Sequence, residues 1–277
     1  MERRAFLALT GTTVAGLVLP AYLRAQDAGV PGATVSTGAG RVRGMLRGGV
    51  HSFKGVPYAA PPVGAGRFQP PRPSAAWSGV RDAFAFGPRA PQPPRPMIPE
   101  IGDALTGSGP TGEDCLSLNL WTADPRPTAR RPVVVYFHGG GYRSGSVNSV
   151  FYDGTALAKT QDVVFVGVNH RLNVLGYLYL AELGGERYAR SGNAGLLDLV
   201  AALEWVRDNI ENFGGDPGNV TILGQSGGGG KAAMLTGMPA AKGLFHRAII
   251  MSTLIESGVR AMEKDQAAAS AERFLSK

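Results

Sequence analysis

Two short stretches of this chain hold residue types whose spacing could do chemistry. The first is Gly224-Gln225-Ser226-Gly227-Gly228, a G-x-S-x-G pattern directly after the apolar run Val220-Thr221-Ile222-Leu223 and ahead of a segment, Gly227 to Leu235, that can form a helix. A strand-to-helix turn of this kind forces the serine into a strained backbone conformation, and glycines on both sides relieve the crowding around it. The helix N-terminus then turns free N–H groups, and the positive end of its dipole, toward any oxyanion formed at the serine. The second stretch is His138-Gly139-Gly140-Gly141, following Val133-Val134-Val135-Tyr136-Phe137. A loop without side chains lets main-chain amides approach a carbonyl oxygen on which negative charge builds, and one such donor is worth about 10²–10³ in rate. Each motif alone has an ordinary reading: most G-x-S-x-G matches are turns, a tri-glycine segment can be a flexible loop, and His138 by itself suits packing better than catalysis. Together they point to acyl transfer through a serine nucleophile.

A third pattern overlaps the first. Gly227-Gly228-Gly229-Gly230-Lys231 invites a phosphate-binding loop, but G-x-x-x-x-G-K-[ST] would need Gly at position 225 and Ser or Thr at 232, where this chain has Gln225 and Ala232. Nucleotide binding is therefore the weaker reading.

The elements that must position these motifs follow from periodicity. Val35 to Gly55 alternates short β-type runs with glycine turns, as antiparallel hairpins at a sheet edge do. Pro57 to Pro110 is rich in Pro and Gly and shows no helical period, and its aromatic residues Phe68, Trp77, Phe84 and Phe86 predict a long ordered loop. From Pro132 onward come short apolar runs: Val133 to Phe137, Val163 to Val166, Val220 to Leu223 and Ala248 to Met251. Strands covered on both faces read this way, so an α/β fold with a mostly parallel central sheet is predicted, with the hairpins at its N-terminal side. Leu199, Leu203, Val206 and Ile210 fall at helical spacing and end at Phe213-Gly214-Gly215-Asp216-Pro217, which predicts a crossover helix joining parallel neighbours.

Composition narrows the partners. With 277 residues, 44% of them hydrophobic and 18% charged, one large domain is the default. The net charge is +7, of which the first 25 residues, with Arg3, Arg4 and Arg24 against Glu2, contribute +2 and the remainder +5. The basic residues are scattered without aromatic interleaving, so a nucleic-acid groove is not expected. Cys115 is the only cysteine, which excludes an internal disulfide and a cysteine metal site, and no metal or cofactor is implied. The N-terminus carries Arg3-Arg4, an apolar stretch to Leu19, then Pro20 and Ala25, which resembles a twin-arginine export signal. Cleavage is expected after Ala25, or alternatively after Ala28, leaving 26–277 as an exported domain. Stable membrane anchoring is not expected, because the uncharged stretch is broken by glycine and barely spans ~30 Å of hydrocarbon.

Longer blocks carry a family likeness. FKGVPYAAPPVGAGRF from Phe53, EDCLSLN from Glu113, NHRLNVLGYL from Asn169 and NAGLLDLVAALEWVRDNIENFGGDPGNVTILGQSGG from Asn193 resemble, in order, those of the type-B carboxylesterases, the family of bacterial para-nitrobenzyl esterases and cholinesterases. The resemblance implies an α/β-hydrolase fold and small carboxylic esters as substrates. It makes Ser226 the acyl-forming nucleophile and the main-chain amides of Gly140, Gly141 and Gly227 the oxyanion hole. It also implies a buried structural ion pair between Arg67 and Glu113, and scaffold roles for Asp216 and His246. The chain departs from the pattern in places. Gln225 stands where a Glu is usual beside the nucleophile, which removes attraction for cationic substrates. Gly227 replaces a common Ala and keeps the needed N–H. Ala90 occupies the position of a cysteine that pairs in relatives, leaving Cys115 a free, buried thiol. Tyr142 and Tyr177 could line the gorge or simply pack.

In this fold the acid and His of the triad follow the serine, and neither is recognisable in the last fifty or so residues; Glu256, the acidic residue close after the Ala248 to Met251 run, reads as a solvated loop residue. The sequence therefore predicts an N-terminal portion of an esterase, with little turnover when no base activates Ser226. The competing expectation is a non-catalytic binding or adhesion protein on the same fold, which would have no need of the intact GQSGG and HGGG.

Overall fold

The computed structural model describes residues 29–93, 106–253 and 262–276, so the export-signal segment 1–25 and Glu256 lie outside the described residues. The chain opens with three antiparallel strands, β1 (Val30–Ser36), β2 (Arg41–Arg47) and β3 (Val50–Pro57). Gly48 and Gly49, at φ +55° and +82°, form the two-residue turn between β2 and β3, where positive φ at both central positions matches the twist of the hairpin. Along the Pro- and Gly-rich stretch that follows, a short strand not evident from composition, β4 (Val80–Asp82), pairs parallel with β2. Aromatic side chains hold this stretch to the sheet. Trp77 Nε1 donates to the Arg41 carbonyl at 3.1 Å, and Phe84 and Phe86 meet the Arg43 guanidinium and Lys54 ammonium at 5.6 and 4.5 Å from their ring centres.

Five further strands, β5 (Ser117–Thr122), β6 (Arg131–Phe137), β7 (Val164–Val168), β8 (Gly215–Gln225) and β9 (Arg247–Met251), complete a nine-stranded sheet of order β1-β2-β3-β5-β7-β6-β8-β9, with β4 beside β2. Pairing is antiparallel from β1 across to β7 and parallel from β7 through β6 and β8 to β9. β5 is concealed in the sequence because Ser117, Asn119 and Thr122 interrupt its apolar residues, yet all six residues are buried. Asn119 can be there because it is bonded on both sides: its Oδ1 accepts from Gly55 N at 2.9 Å and its Nδ2 donates to Asn148 Oδ1 at 3.2 Å. At the far edge β9 exposes every residue, including Ile249, Ile250 and Met251.

The helices are α1 (Thr155–Thr160), α2 (Asn173–Tyr177), α3 (Ala181–Gly184), α4 (Ala194–Asn209), α5 (Gly227–Gly237) and α6 (Lys264–Leu275). α4 buries Leu199, Leu203 and Val206, with Ile210 in the 3₁₀ turn that follows, and the turn ends at Gly214 with φ +82°. One expectation is corrected here. α4 connects β7 to β8, and these are not neighbours: β6 lies between them, with Val133 facing Val164 on one side and Val220 on the other. β6 lies between them because it pairs in parallel along both of its edges, and a short apolar run reads the same whether it has one partner strand or two. Among the described residues no helix is long and apolar enough to cross a membrane.

Candidate active site

Strand register brings the two motifs together. β6 and β8 pair in parallel from Val133 opposite Val220 to Phe137 opposite Gly224, so His138–Gly141 and Ser226 leave adjacent strands at the same end of the sheet. The carboxyl ends of parallel strands are where open α/β sheets place their ligands.

Ser226 sits between β8 and α5 at φ +55° and ψ −125°, a conformation that costs an L-residue about 1–3 kcal/mol and needs surrounding constraints. Those constraints are hydrogen bonds on both sides of the residue. Ser226 N donates to Met251 O at 2.9 Å, and Ser226 O accepts from Gly230 N at 3.0 Å and from Thr253 Oγ1. The flanking glycines are dictated by contact. A Cβ on Gly224 would stand 2.2 Å from Gly228 O, and one on Gly228 would stand 2.0 Å from Phe137 O.

The tri-glycine loop lies against this turn. A Cβ on Gly227 would be 2.7 Å from Gly141 N, and one on Gly139 would be 3.4 Å from Ser226 Cβ. Gly140 and Gly141 adopt φ +104° and +61°, and among the described residues no acceptor takes the amides of Gly140, Gly141 or Gly227. Gly139 to Gly141, Arg143, Gln225 and the half-buried Ser226 line a cleft of about 580 Å³. A serine hydroxyl and uncommitted amides on one cleft wall can together receive an ester carbonyl and hold the charge that develops on its oxygen.

The other sequence candidates fall where packing needs them. His138 is buried, its Nδ1 lies 2.8 Å from Gly139 O, and its ring stacks on His170 at 4.7 Å. Burial holds His170 well below the usual imidazole range, with the Lys231 and His138 charges adding to the effect. His246 bridges two strands at the opposite end from Ser226: its Nδ1 accepts from Val220 N at 3.1 Å and its N–H donates to Val220 O at 2.8 Å. Val220 lies five residues of strand before Gln225, roughly 16 Å at ~3.3 Å per residue, so His246 cannot serve as base to Ser226. Asp216 accepts from Arg130 Nη2 at 2.8 Å and from Gly218 N at 2.9 Å, a scaffold role. Cys115 is a free, buried thiol that burial pushes up from its ordinary value. Tyr142 and Tyr177 meet edge to face at 5.3 Å, and burial pushes the Tyr142 phenol up to about 12.

The expected buried ion pair is corrected. Arg67 and Glu113 do pair, through two short bonds of 2.6 and 2.5 Å, but their side chains are 50% and 22% exposed. Arg67 closes a surface 3₁₀ turn, Gly64–Gly66, so its guanidinium stays in water. The buried pair is Arg171 with Asp198, side chains 3% and 0% exposed, which sequence reasoning missed. Also missed is a polar cluster behind the tri-glycine loop. Asn169 Oδ1 accepts from Ser146 Oγ and Val147 N at 2.9 and 3.0 Å, and its Nδ2 donates to Asn148 Oδ1 at 3.0 Å, pinning the segment after the loop to the end of β7. An asparagine directly after a five-residue apolar strand was the available signal. The third omission is Lys231, fully buried in α5. Among the described residues no group of His, Cys, Asp and Glu could hold a metal ion.

Comparison with known proteins agrees with this architecture. The model of the carboxylesterase family matches residues 31–276. The para-nitrobenzyl esterase of Bacillus subtilis (strain 168) is 45% identical over 242 residues, covering 87% of this chain and 47% of that protein. The phenmedipham hydrolase of Pseudarthrobacter oxydans is 47% identical over 217 residues, covering 78% and 42% respectively. The crystal structure of a Geobacillus stearothermophilus carboxylesterase at pH 6.2 superposes with a TM-score of 0.78 at 45% identity, over 88% of this chain and 47% of that one. The chain thus spans a little under half the length of these relatives. The match runs from β1 into α6 and takes in both motifs; the chain has the α/β-hydrolase fold and belongs to the carboxylesterase family.

Proposed function

We propose that this chain carries the nucleophile and the oxyanion hole of a serine carboxylic-ester hydrolase. Ser226 Oγ attacks the ester carbonyl, and the amides of Gly140, Gly141 and Gly227 stabilise the tetrahedral oxyanion. The C–O bond to the alcohol breaks and the alcohol leaves with the proton given up by the serine, and water then cleaves the acyl-serine to release the acid and restore the hydroxyl. The observation that carries this reading is the strained serine turn set directly against Gly141 N. Relatives named for hydrolysis of para-nitrobenzyl esters and of phenmedipham support small organic esters as the substrate class. Gln225 lines the cleft beside Ser226 in place of a carboxylate, which disfavours selection for cationic alcohols.

A fluorophosphonate probe tests this in the longest form of the protein that its gene encodes. Covalent label is expected on Ser226, absent from Ser226→Ala, and hydrolysis of short p-nitrophenyl esters is expected to fall by about 10⁴-fold or more in that variant. Label on another residue, or equal turnover by Ser226→Ala, would discard the assignment.

We also infer that the protein is exported and works outside the cytoplasm, on the strength of Arg3-Arg4, the apolar stretch behind them and the small residue Ala25. N-terminal sequencing of exported protein should start at Gln26 or, for cleavage after Ala28, at Gly29; a mature chain that still begins with Met1 contradicts the export signal.

A further inference from the structure

Lys231 lies in α5, five residues after Ser226, and is completely buried. Lysine is almost never fully buried without a charged partner, because removing an ammonium from water is costly. Among the described residues no carboxylate pairs with it. Its Nζ donates to the carbonyl oxygen of His138 at 3.2 Å, and it stands 5.1 Å from the centre of the Tyr142 ring. These two contacts have one thing in common: His138 and Tyr142 are the residues immediately before and after Gly139–Gly141.

The tri-glycine loop is the part of the site most in need of restraint. Gly140, Gly141 and Tyr142 all hold positive φ, and glycine loses more conformational freedom on ordering than any other residue. Amides stabilise an oxyanion well only when they are already oriented before charge develops. The geometry points to Lys231 as a positioning residue of the oxyanion loop: from the helix that begins at the nucleophile, its ammonium fastens both ends of Gly139–Gly141 and so fixes the loop amides relative to Ser226. This inference rests on the esterase reading for its catalytic consequence.

Further contacts fit the role. Tyr142 Oη donates to Met234 Sδ at 3.6 Å, so α5 grips the loop's C-terminal end a second time, one turn beyond Lys231. Burial pushes the Lys231 ammonium down to about 7, a burden on stability that no ion pair offsets. A lysine serving only to fill space would be improved upon by methionine, which offers the same reach without charge.

Lys231→Met tests this, with Tyr142→Leu as a second variant at a half-buried position. Turnover of p-nitrophenyl butyrate by Lys231→Met should fall about 10- to 100-fold in kcat with KM within about twofold, since the lost orientation matters in the transition state. Tyr142→Leu should show the same split, smaller. Amide deuterium uptake in peptides covering Gly139–Gly141 should accelerate at least about tenfold in Lys231→Met, while the melting temperature stays level or rises. Unchanged uptake with unchanged kcat overturns the proposal, as does a loss confined to melting temperature. Deuterium uptake needs no turnover, so if the wild-type protein neither labels nor hydrolyses esters, the esterase reading fails separately and the exchange comparison still decides the role of Lys231.

Discussion

Gly228→Ala should abolish most of the proposed ester hydrolysis while leaving a folded protein. The added methyl would sit 2.0 Å from Phe137 O and 3.0 Å from the His138 carbonyl carbon, and both are main-chain atoms at the end of the central strand. No side chain can swing aside to make room, so α5 must move away from β6, taking Ser226 with it and opening the gap to Gly141 N. A displacement of about 1 Å at reacting groups costs on the order of 10²-fold, and overpacking of this kind destabilises by about 1–3 kcal/mol. Gly237→Ala is the contrasting case on the same helix. A Cβ there meets nothing within 4 Å, and its φ is not positive, so the variant should gain about 0.4–1 kcal/mol and keep full activity. The check is kcat/KM on a short ester together with urea midpoints for both variants. Equal activities would mean that helix and strand can separate without disturbing the serine, and the packing account of the elbow would then be wrong.

Asp198→Ala should be strongly destabilising. Asp198 receives Arg171 Nη2 at 2.6 Å, Nε at 2.8 Å and the Arg171 main-chain N–H at 3.0 Å, and both side chains are sealed from solvent. Arg171 also donates to Gln69 O at 2.8 Å and Ala194 O at 3.4 Å, so one guanidinium ties the loop after β7 to the start of α4 and to the proline-rich loop. Removing the carboxylate leaves a buried cation without a counter-charge, at a cost of about 3–5 kcal/mol. Removing both charges is different: Arg171→Met with Asp198→Leu should recover most of that loss, because the desolvation penalty goes with the pair. Thermal or urea unfolding of the single and double variants measures both. A single-variant loss below about 1 kcal/mol would show that water or another group takes over the guanidinium. The half-exposed Arg67–Glu113 pair offers the opposite expectation, since exposed pairs gain little in water, and Arg67→Ala should barely shift the midpoint.

The contrast between these two ion pairs shows where sequence reasoning stops. Both were present in the blocks that resemble the family, and only Arg67–Glu113 was expected to be buried. Whether a charged pair is buried depends on what covers it. For Arg171 and Asp198 the cover is α4 and the loop carrying Gln69, about a hundred residues away in the chain. Lys231 illustrates the same limit. By residue type it reads as solvated, and it is buried because the tri-glycine loop, 93 residues earlier at His138, folds over it.

What the sequence determined by itself was local. The β2–β3 hairpin, the apolar strands β6 to β9, helix α4 and the strand–turn–helix around Ser226 are each specified by short-range periodicity, and the turn at Ser226 also by Gly224 and Gly228, where an added Cβ would meet main-chain atoms. Tertiary structure alone decided that β6 separates β7 from β8, that the polar strand β5 is wholly buried, and that Lys231 and the Arg171–Asp198 pair are buried, while the pairing of the tri-glycine segment with Ser226 was already implied by the two motifs. The physical reason is that strand neighbours and buried polar partners are chosen by hydrogen bonds and burial between segments far apart in the chain, which no local pattern of residues encodes.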